Sequence, residues 1–139
     1  MYEVHIYTSV SGKGPREQER SCFYRLETDT KKGPAGLENT VKLTATKNRA
    51  ELFIVNEALK RVNKKCRIVI HTESEYVSAG FNQGRINRWK ENGWMSSRSR
   101  PVANREEWQK MLNLLYGKPF EVILSQNQEK EQDRNAAKR

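Results

Sequence analysis

Long apolar runs and cysteines are both scarce in this sequence. No stretch approaches the roughly 20 apolar residues that a membrane helix needs, and the mean hydropathy is −0.94. The opening segment lacks a basic stretch followed by a long apolar run, so we expect no secretory signal. Cys22 and Cys66 are the two cysteines, and their spacing suggests no metal site. These features argue against a disulfide-stabilised secreted domain and predict a cytoplasmic protein with two reduced thiols in strands.

Positive charge is what the sequence has in excess. Among 139 residues, 26 Lys and Arg outnumber 17 Asp and Glu, which gives a net charge of +9 and a pI of about 9.7. The length suits a single domain with one core. A basic balance favours polyanionic partners, nucleic acid first, although many proteins have a basic surface without such a partner. Charge alone therefore leaves nucleic-acid binding undecided.

Three short segments with strand patterns open the chain. Tyr2–Thr8 alternates apolar and polar residues, Cys22–Glu27 is aromatic and alternating, and Thr40–Thr46 is rich in β-branched residues. Turn-forming residues fill positions 11–15 and 30–36 between them. Because these links are short, we predict an antiparallel meander.

The apolar period changes after the third strand. Between Arg49 and Val62 apolar residues recur at intervals of three and four, which predicts an amphipathic helix. Cys66–Thr72 is an almost continuous apolar run, typical of a strand buried on both faces in a parallel pairing. Together with the meander, these segments indicate a mixed sheet with a right-handed crossover.

Shorter segments complete the predicted domain. We predict helices at Ser74–Gly80, Gln83–Asn92 and Glu106–Tyr116, a basic loop at Arg98–Asn104 and a last strand at Phe120–Leu124. Residues 125–139 contain no large apolar residue and form a polar tail, which is either an exposed helix or disordered. The sequence shows no internal repeat and no interdomain linker.

Four short motifs follow one another in the chain. They are Tyr7–Ser11 (YTSVS), Thr46–Leu52 (TKNRAEL), Thr72–Val77 (TESEYV) and Trp89–Trp94 (WKENGW), continued by Pro101, Val102, Asn104 and Trp108. In this order and spacing they resemble the motifs of type 1 ribonuclease H over roughly residues 2 to 124. The resemblance implies an α/β domain at residues 1–124 with a ribonuclease H-like fold. Its five-stranded mixed sheet would have three antiparallel strands, then parallel strands, and flanking helices.

The resemblance also implies a catalytic site with four metal-binding positions. The family cleaves the RNA strand of RNA/DNA hybrids with two divalent ions, Mg²⁺ or Mn²⁺, which need oxygen ligands. The corresponding positions here are Ser9, Glu51, Glu73 and Asp133. Ser9 stands where the family has Asp, and a neutral hydroxyl cannot replace an anionic ligand shared by two metals. We therefore favour Ser9 as a strand-end residue without chemistry.

Glu73 also replaces an Asp of the family. It retains the charge, but one more methylene displaces its oxygens, and a misplacement of about 1 Å can cost a hundredfold in rate. Glu51 lies on the helical face that points to the sheet, and two interpretations stay open. It is either a metal ligand or part of a capping box with Asn48 as the N-cap, and we favour the cap.

Asp133 and the two histidines are weaker candidates. Asp133 resembles the last ligand of the family, and a solvated charge in a polar tail explains it equally well. The His-containing loop that normally precedes this ligand is missing. His5 and His71 lie inside predicted strands, where a packed or hydrogen-bonded role is more common than catalysis.

A basic and aromatic segment resembles the part of the family that grips the DNA strand. Between residues 80 and 110 there are seven Lys and Arg against three Glu. Interleaved cations and aromatic rings suit backbone contact and stacking, while Trp108 is better explained as a core residue. The predicted nucleic-acid-binding residues are Thr46, Asn48, Arg85, Arg88, Trp89, Lys90, Trp94, Arg98 and Arg100.

Three functional hypotheses follow. We favour a ribonuclease H-like protein that binds an RNA/DNA hybrid or duplex with weak or no cleavage, and with weak or no binding of Mg²⁺ or Mn²⁺. The second hypothesis is an active metal-dependent endoribonuclease with altered ligands, and the third is a protein-interaction module on a relic fold. We expect a monomer with no membrane partner.

Overall fold

A five-stranded mixed sheet lies at the centre of the computed structural model, which describes residues 2–30, 32–62 and 65–125. The strands are β1 (Tyr2–Val10), β2 (Gln18–Thr30), β3 (Gly33–Ala45), β4 (Cys66–Thr72) and β5 (Phe120–Leu124). They stand in the order β3-β2-β1-β4-β5. Antiparallel pairing joins β1 to β2 and β2 to β3, whereas β4 runs parallel to both β1 and β5. The predicted meander and mixed sheet are confirmed.

The hairpin formed by β2 and β3 is much longer than predicted. The segment assigned to a turn, residues 30–36, is mostly strand, because Gly33 to Gly36 pair with Thr30 to Glu27. Glycine and proline are tolerated here because β3 is the edge of the sheet, where a missing backbone donor breaks no inner ladder. The prediction of a turn over all seven residues was wrong for that reason.

Within the described part of the chain four helices flank the sheet, and their ends differ slightly from the prediction. They are α1 (Lys47–Leu59), α2 (Glu75–Asn82), α3 (Arg85–Glu91) and α4 (Arg105–Leu115). Helix α1 begins earlier than predicted because the Thr46 side chain caps it, accepting a hydrogen bond from the Arg49 backbone at 3.3 Å. Helix α2 continues through Gly80, and Gly84 in a left-handed conformation separates it from α3.

The core lies between the sheet and a layer that contains α1 and α4. Helix α1 packs on β1, β2 and α4. Ile6, Leu52, Ile70 and Trp108 are fully buried at this interface, so the predicted core role of Trp108 is confirmed. Strand β4 is buried along most of its length, as predicted, since it has a partner strand on each side.

The predictions for the cysteines and histidines can be compared with the structure, whereas the prediction for Asp133 cannot. Cys22 and Cys66 are buried in strands without a disulfide, as predicted. His5 and His71 are joined by a 2.9 Å contact between Nδ1 and Nε2, which agrees with a hydrogen-bonded role in the sheet. The tail from residue 126 on, which includes Asp133, lies outside the described residues. Within the described ranges no helix is long and apolar enough to cross a membrane.

Candidate functional site

Three of the predicted catalytic positions lie on elements that meet at the carboxyl ends of β1 and β4. We call this end of the two strands the sheet edge. The parallel pairing of β1 and β4 ends at Tyr7 and His71. Ser9 and Glu73 each lie two residues beyond this last pair, at the carboxyl ends of neighbouring parallel strands. Sheets of this kind place ligand groups at that edge. The start of α1 reaches the same place, because the Lys47 side chain contacts the carbonyl of Val10.

Ser9 is an ordinary member of β1. It is half-buried and pairs with Phe23 of β2 within the antiparallel ladder. Its side chain offers one neutral hydroxyl, which carries no charge to balance a cation. The residue type therefore supplies no carboxylate at this end of β1.

Glu51 is buried on the inner face of α1, and the predicted capping box is wrong. Glu51 is only 2% exposed, and the helix is capped by Thr46, which lies two residues before the predicted N-cap Asn48. Asn48 lies inside the first turn and is exposed. With Thr46 as the N-cap, a capping box does not account for the burial of the Glu51 carboxylate, which must be balanced by neighbouring groups.

Lys47 supplies a positive charge next to Glu51. Its Nζ donates to the backbone oxygen of Val10 at 2.7 Å and lies 3.6 Å from Oε1 of Glu51. Lys47 was not among the predicted site residues. The spacing of four between Lys47 and Glu51 was visible in the sequence, and so was the oddity of a cation in the first turn of a helix, where the helix dipole disfavours it.

Glu73 stands at the junction between β4 and α2. The hydroxyl of the fully buried Thr72 accepts from the Ser74 backbone at 3.1 Å. The Ser74 hydroxyl in turn caps α2 by accepting from Val77 at 3.2 Å. These two bonds fix the backbone on both sides of Glu73, which is itself half-buried.

A buried arginine shapes the loop that follows β1. Arg20 is 1% exposed, and its guanidinium donates to the carbonyls of Ser11, Gly14 and Arg16 and of Ala45 in β3 at 2.6 to 3.0 Å. A buried cation needs such a set of acceptors. Sequence reasoning missed this role because Arg20 lies just outside the predicted second strand.

The predicted basic surface is formed by α3 and the turn at residues 96–100. Arg88, Lys90, Arg98 and Arg100 are exposed, and Arg85 is half-buried. The turn is closed by a 2.7 Å bond from the Ser96 backbone to the Arg100 carbonyl, and a bridge joins Met95 to Pro101. We call these five cations the basic surface. Thr46 and Asn48 are exposed at the start of α1.

Trp89 and Trp94 connect the basic surface to the core. Both rings are half-buried. The centroid of Trp89 lies 6.1 Å from Trp94 and 5.5 Å from the fully buried Trp108. Trp94 has a φ of 62°, and its backbone donates to the Trp89 carbonyl at 2.6 Å. The two residues therefore contribute to packing and also keep part of their surface accessible.

Comparison with known proteins identifies the family to which this chain belongs. The RNase H family model matches residues 2–124. The chain belongs to the RNase H family. Ribonuclease H of Thermoanaerobacter sp. (strain X514) is 32% identical over 111 residues, which are 80% of this chain and 69% of that protein. Ribonuclease H of Caldanaerobacter subterraneus subsp. tengcongensis is 33% identical over 122 residues, 86% of this chain and 74% of that protein.

Solved RNase H structures share the fold. The crystal structure of a type 1 RNase H with the type 2 active-site motif superposes with a TM-score of 0.76 at 23% identity, covering 91% of this chain and 64% of that one. A foamy viral protease-reverse transcriptase in complex with RNA/DNA hybrid superposes with a TM-score of 0.62 at 18% identity. That match covers 98% of this chain and 19% of the viral one.

RNase H enzymes generally use divalent metal ions, but the described residues do not fit a two-metal site. Two hard cations a few ångströms apart need several anionic oxygens, one of them shared. Among residues 2–30, 32–62 and 65–125, no group of three or more His, Cys, Asp or Glu side chains could hold a metal ion. Ser9 is neutral, and the Lys47 ammonium stands beside Glu51. The described residues therefore supply too little negative charge to hold two divalent ions.

Proposed function

We propose that this member of the RNase H family binds RNA/DNA hybrid or duplex nucleic acid and cleaves it weakly or not at all. A contrast between two parts of the molecule carries this proposal. The basic surface keeps four of its five cations exposed near Trp89 and Trp94, whereas the sheet edge has a hydroxyl at Ser9 and an ammonium beside Glu51. Binding of Mg²⁺ or Mn²⁺ at that edge is weak or absent on this account.

Binding would rest on the phosphate backbone more than on base sequence. Guanidinium and ammonium groups that neutralise phosphates release counterions, which makes the affinity fall as salt rises. A hybrid would be distinguished by its minor-groove shape and its 2′-hydroxyls. Trp89 and Trp94 offer surfaces against which sugars or bases pack. Thr46 and Asn48 stand exposed near the end of β1, where they would contact a phosphate that approaches the sheet edge.

The weak cleavage follows from charge at the sheet edge. An anionic ligand shared by two metals, if it supplies about 4 kcal/mol, accounts for about a thousandfold in rate. Ser9 supplies no such charge, and the longer side chain of Glu73 displaces its carboxylate. These residues still line the edge of the sheet, and a nucleic-acid strand would pass over that edge.

A relative supports the choice of ligand. The foamy viral protease-reverse transcriptase that shares this fold is known in complex with RNA/DNA hybrid and in complex with double-stranded DNA. We carry the class of ligand over to this chain as part of the proposal, with residues 1–124 as the binding domain and a monomer as the acting unit.

An active endoribonuclease is the second candidate. Two observations favour it: the carboxylates of Glu51 and Glu73 are retained at the sheet edge, and relatives at 32–33% identity are named ribonuclease H. Such an enzyme would use altered ligands, with Mn²⁺ or a single metal. It differs from the first candidate in requiring cleavage that depends on Glu51.

Fluorescence anisotropy with a short labelled hybrid tests the binding proposal. The titration is made in EDTA at several salt concentrations, with duplex DNA and duplex RNA of the same sequence as comparisons. We expect saturable binding of the hybrid without a divalent ion, and a linear fall of log affinity with log salt concentration. Absence of binding at low salt would contradict the proposal and favour a protein-interaction module.

A further inference from the structure

The Lys47 side chain occupies a defined position at the sheet edge. Its Nζ has two oxygen neighbours, the Val10 carbonyl at 2.7 Å and Oε1 of Glu51 at 3.6 Å. The backbone of Lys47 is fixed as well, since its N–H donates to the Pro15 carbonyl at 3.1 Å. This is an anchored ammonium, with a side chain 35% exposed.

Burial explains why a cation is needed at this point. The Glu51 side chain is 2% exposed, and an ionised carboxylate removed from water is costly unless a positive charge or hydrogen-bond donors balance it. The first turn of α1 contains no acidic residue, and a lysine there is opposed by the helix dipole. The pair with Glu51 offsets both unfavourable placements at once.

The same contacts oppose the binding of a divalent ion at Oε1 of Glu51. A metal bound to Oε1 would have to compete with the ammonium for the same oxygen and would be repelled by its charge. The Val10 carbonyl, another hard oxygen of the type that Mg²⁺ and Mn²⁺ accept, is already engaged by Lys47. Ser9, the residue before Val10, offers no carboxylate in exchange.

We propose that the Lys47 ammonium is the resident cation of this site and takes the place of a divalent ion beside Glu51. The fold is then stable at this edge without metal, because with a neutral Ser9 the single charge of Lys47 suffices to balance the buried carboxylate of Glu51. The inference deepens the proposed function, since it explains why metal binding is weak, but it concerns the protein without nucleic acid.

Manganese titration of variants tests the inference. We compare wild type, Lys47→Gln, Lys47→Arg and the double variant Lys47→Gln/Glu51→Gln by thermal unfolding, in EDTA and in millimolar MnCl₂. Calorimetric titration with MnCl₂ alone gives the affinity. Lys60→Gln is the matched control, because Lys60 also pairs with a glutamate of α1, at 2.6 Å, but that partner, Glu57, is 27% exposed.

In EDTA, Lys47→Gln should lower Tm by about 5 °C or more, because it removes the ammonium that lies beside the buried Glu51 carboxylate. Mn²⁺ should restore most of this loss, since the substitution releases oxygens of Glu51 and Val10. Its affinity for Mn²⁺ should exceed that of wild type by about tenfold or more. Lys47→Arg and Lys60→Gln should gain no Mn²⁺ response.

The double variant keeps the test decisive if Lys47→Gln alone folds poorly. Removing both charges should give a protein that is more stable than Lys47→Gln and indifferent to Mn²⁺. The inference is overturned if the double variant is no more stable than the single one. Equal Mn²⁺ binding by wild type and Lys47→Gln would overturn it too. Hybrid binding in EDTA is measured separately, so a failure of the proposed function is distinguishable from a failure at Lys47.

Discussion

The indole ring of Trp108 lies directly against the backbone of Gly80. A Cβ added at Gly80 would stand 2.8 Å from Cζ3 of the ring and closer still to Cη2. Trp108 is fully buried, and its Nε1 donates to the Tyr76 hydroxyl at 3.0 Å. These contacts fix α4 against α2, whose N-cap Ser74 directly follows Glu73, so the aromatic core helps to position Glu73.

Substitution of Gly80 by alanine should destabilise the protein. Alanine is favoured over glycine in a helix by about 1 kcal/mol, but the methyl group would displace Trp108, and overpacking costs about 1–3 kcal/mol. We expect a net loss of up to about 2 kcal/mol in the free energy of unfolding, measured by urea denaturation. In a Trp108→Phe background the same substitution should cost less, because the smaller ring leaves space. A Gly80→Ala protein at least as stable as wild type would show that the contact is not tight.

The cap of α1 can be assigned by comparing two neighbouring substitutions. Thr46→Ala removes the oxygen that accepts from the Arg49 backbone, so it should lower the free energy of unfolding by about 1 kcal/mol. Asn48→Ala should change stability by less than about 0.5 kcal/mol, because its side chain caps nothing. Urea denaturation checks both values. The reverse order of effects would return the N-cap to Asn48.

Exposed cations of the basic surface should determine hybrid affinity. The variant Arg98→Ala/Arg100→Ala removes two exposed guanidinium groups, so it should weaken hybrid binding and reduce the salt slope by about 2 if both contact phosphates. The matched control is Lys32→Ala/Lys42→Ala, which removes the same charge from exposed positions on the distant β2–β3 hairpin. Anisotropy titrations over salt concentration give both slopes. Equal losses in the two variants would mean that net charge, not this surface, attracts the nucleic acid.

The two thiols should be unreactive in the folded protein. Burial raises the pKa of both Cys22 and Cys66, and the nearby negative charge of Glu51 adds to the increase at Cys22. A raised pKa leaves less thiolate at a given pH, so a disulfide reagent at mildly alkaline pH should react much more slowly before unfolding in urea than after it. The upward direction of these pKa shifts also predicts that stability falls at high pH, because the thiols of the unfolded protein release their protons first. Rapid reaction of the native protein would contradict the burial of these residues.

Much of the fold follows from periodicity and turn chemistry, while the exceptions have local physical causes. The strand pattern of β1 and β4 and the helical period of α1 were sufficient to predict the mixed sheet. The first half of β3 was not predictable, because Gly33 and Pro34 are turn residues that become strand only through pairing with the end of β2. We predicted that the helix ends at Gly80 because glycine intrinsically disfavours helices. A tertiary contact with Trp108 overrides that preference.

The candidate site combines residues that the sequence predicts with one residue, Lys47, that it did not indicate. Motif spacing located Ser9, Glu51 and Glu73, and the topology brings the corresponding strand ends and helix to one edge. The role of Lys47 depends on the burial of Glu51 and on the Val10 carbonyl, which only the folded arrangement reveals. The fourth position, Asp133, lies outside the described residues and remains a prediction.

Single-turnover cleavage of a bound, labelled RNA/DNA hybrid tests the central claim most directly. Wild type, Glu51→Ala and the double variant Ser9→Asp/Glu73→Asp are mixed in excess with the hybrid, in Mg²⁺ and in Mn²⁺, under conditions where anisotropy shows full binding. We predict that the wild type binds without appreciable cleavage and that the double variant cleaves faster than wild type. Rapid cleavage by the wild type that Glu51→Ala abolishes would contradict the account and identify an active ribonuclease with altered ligands.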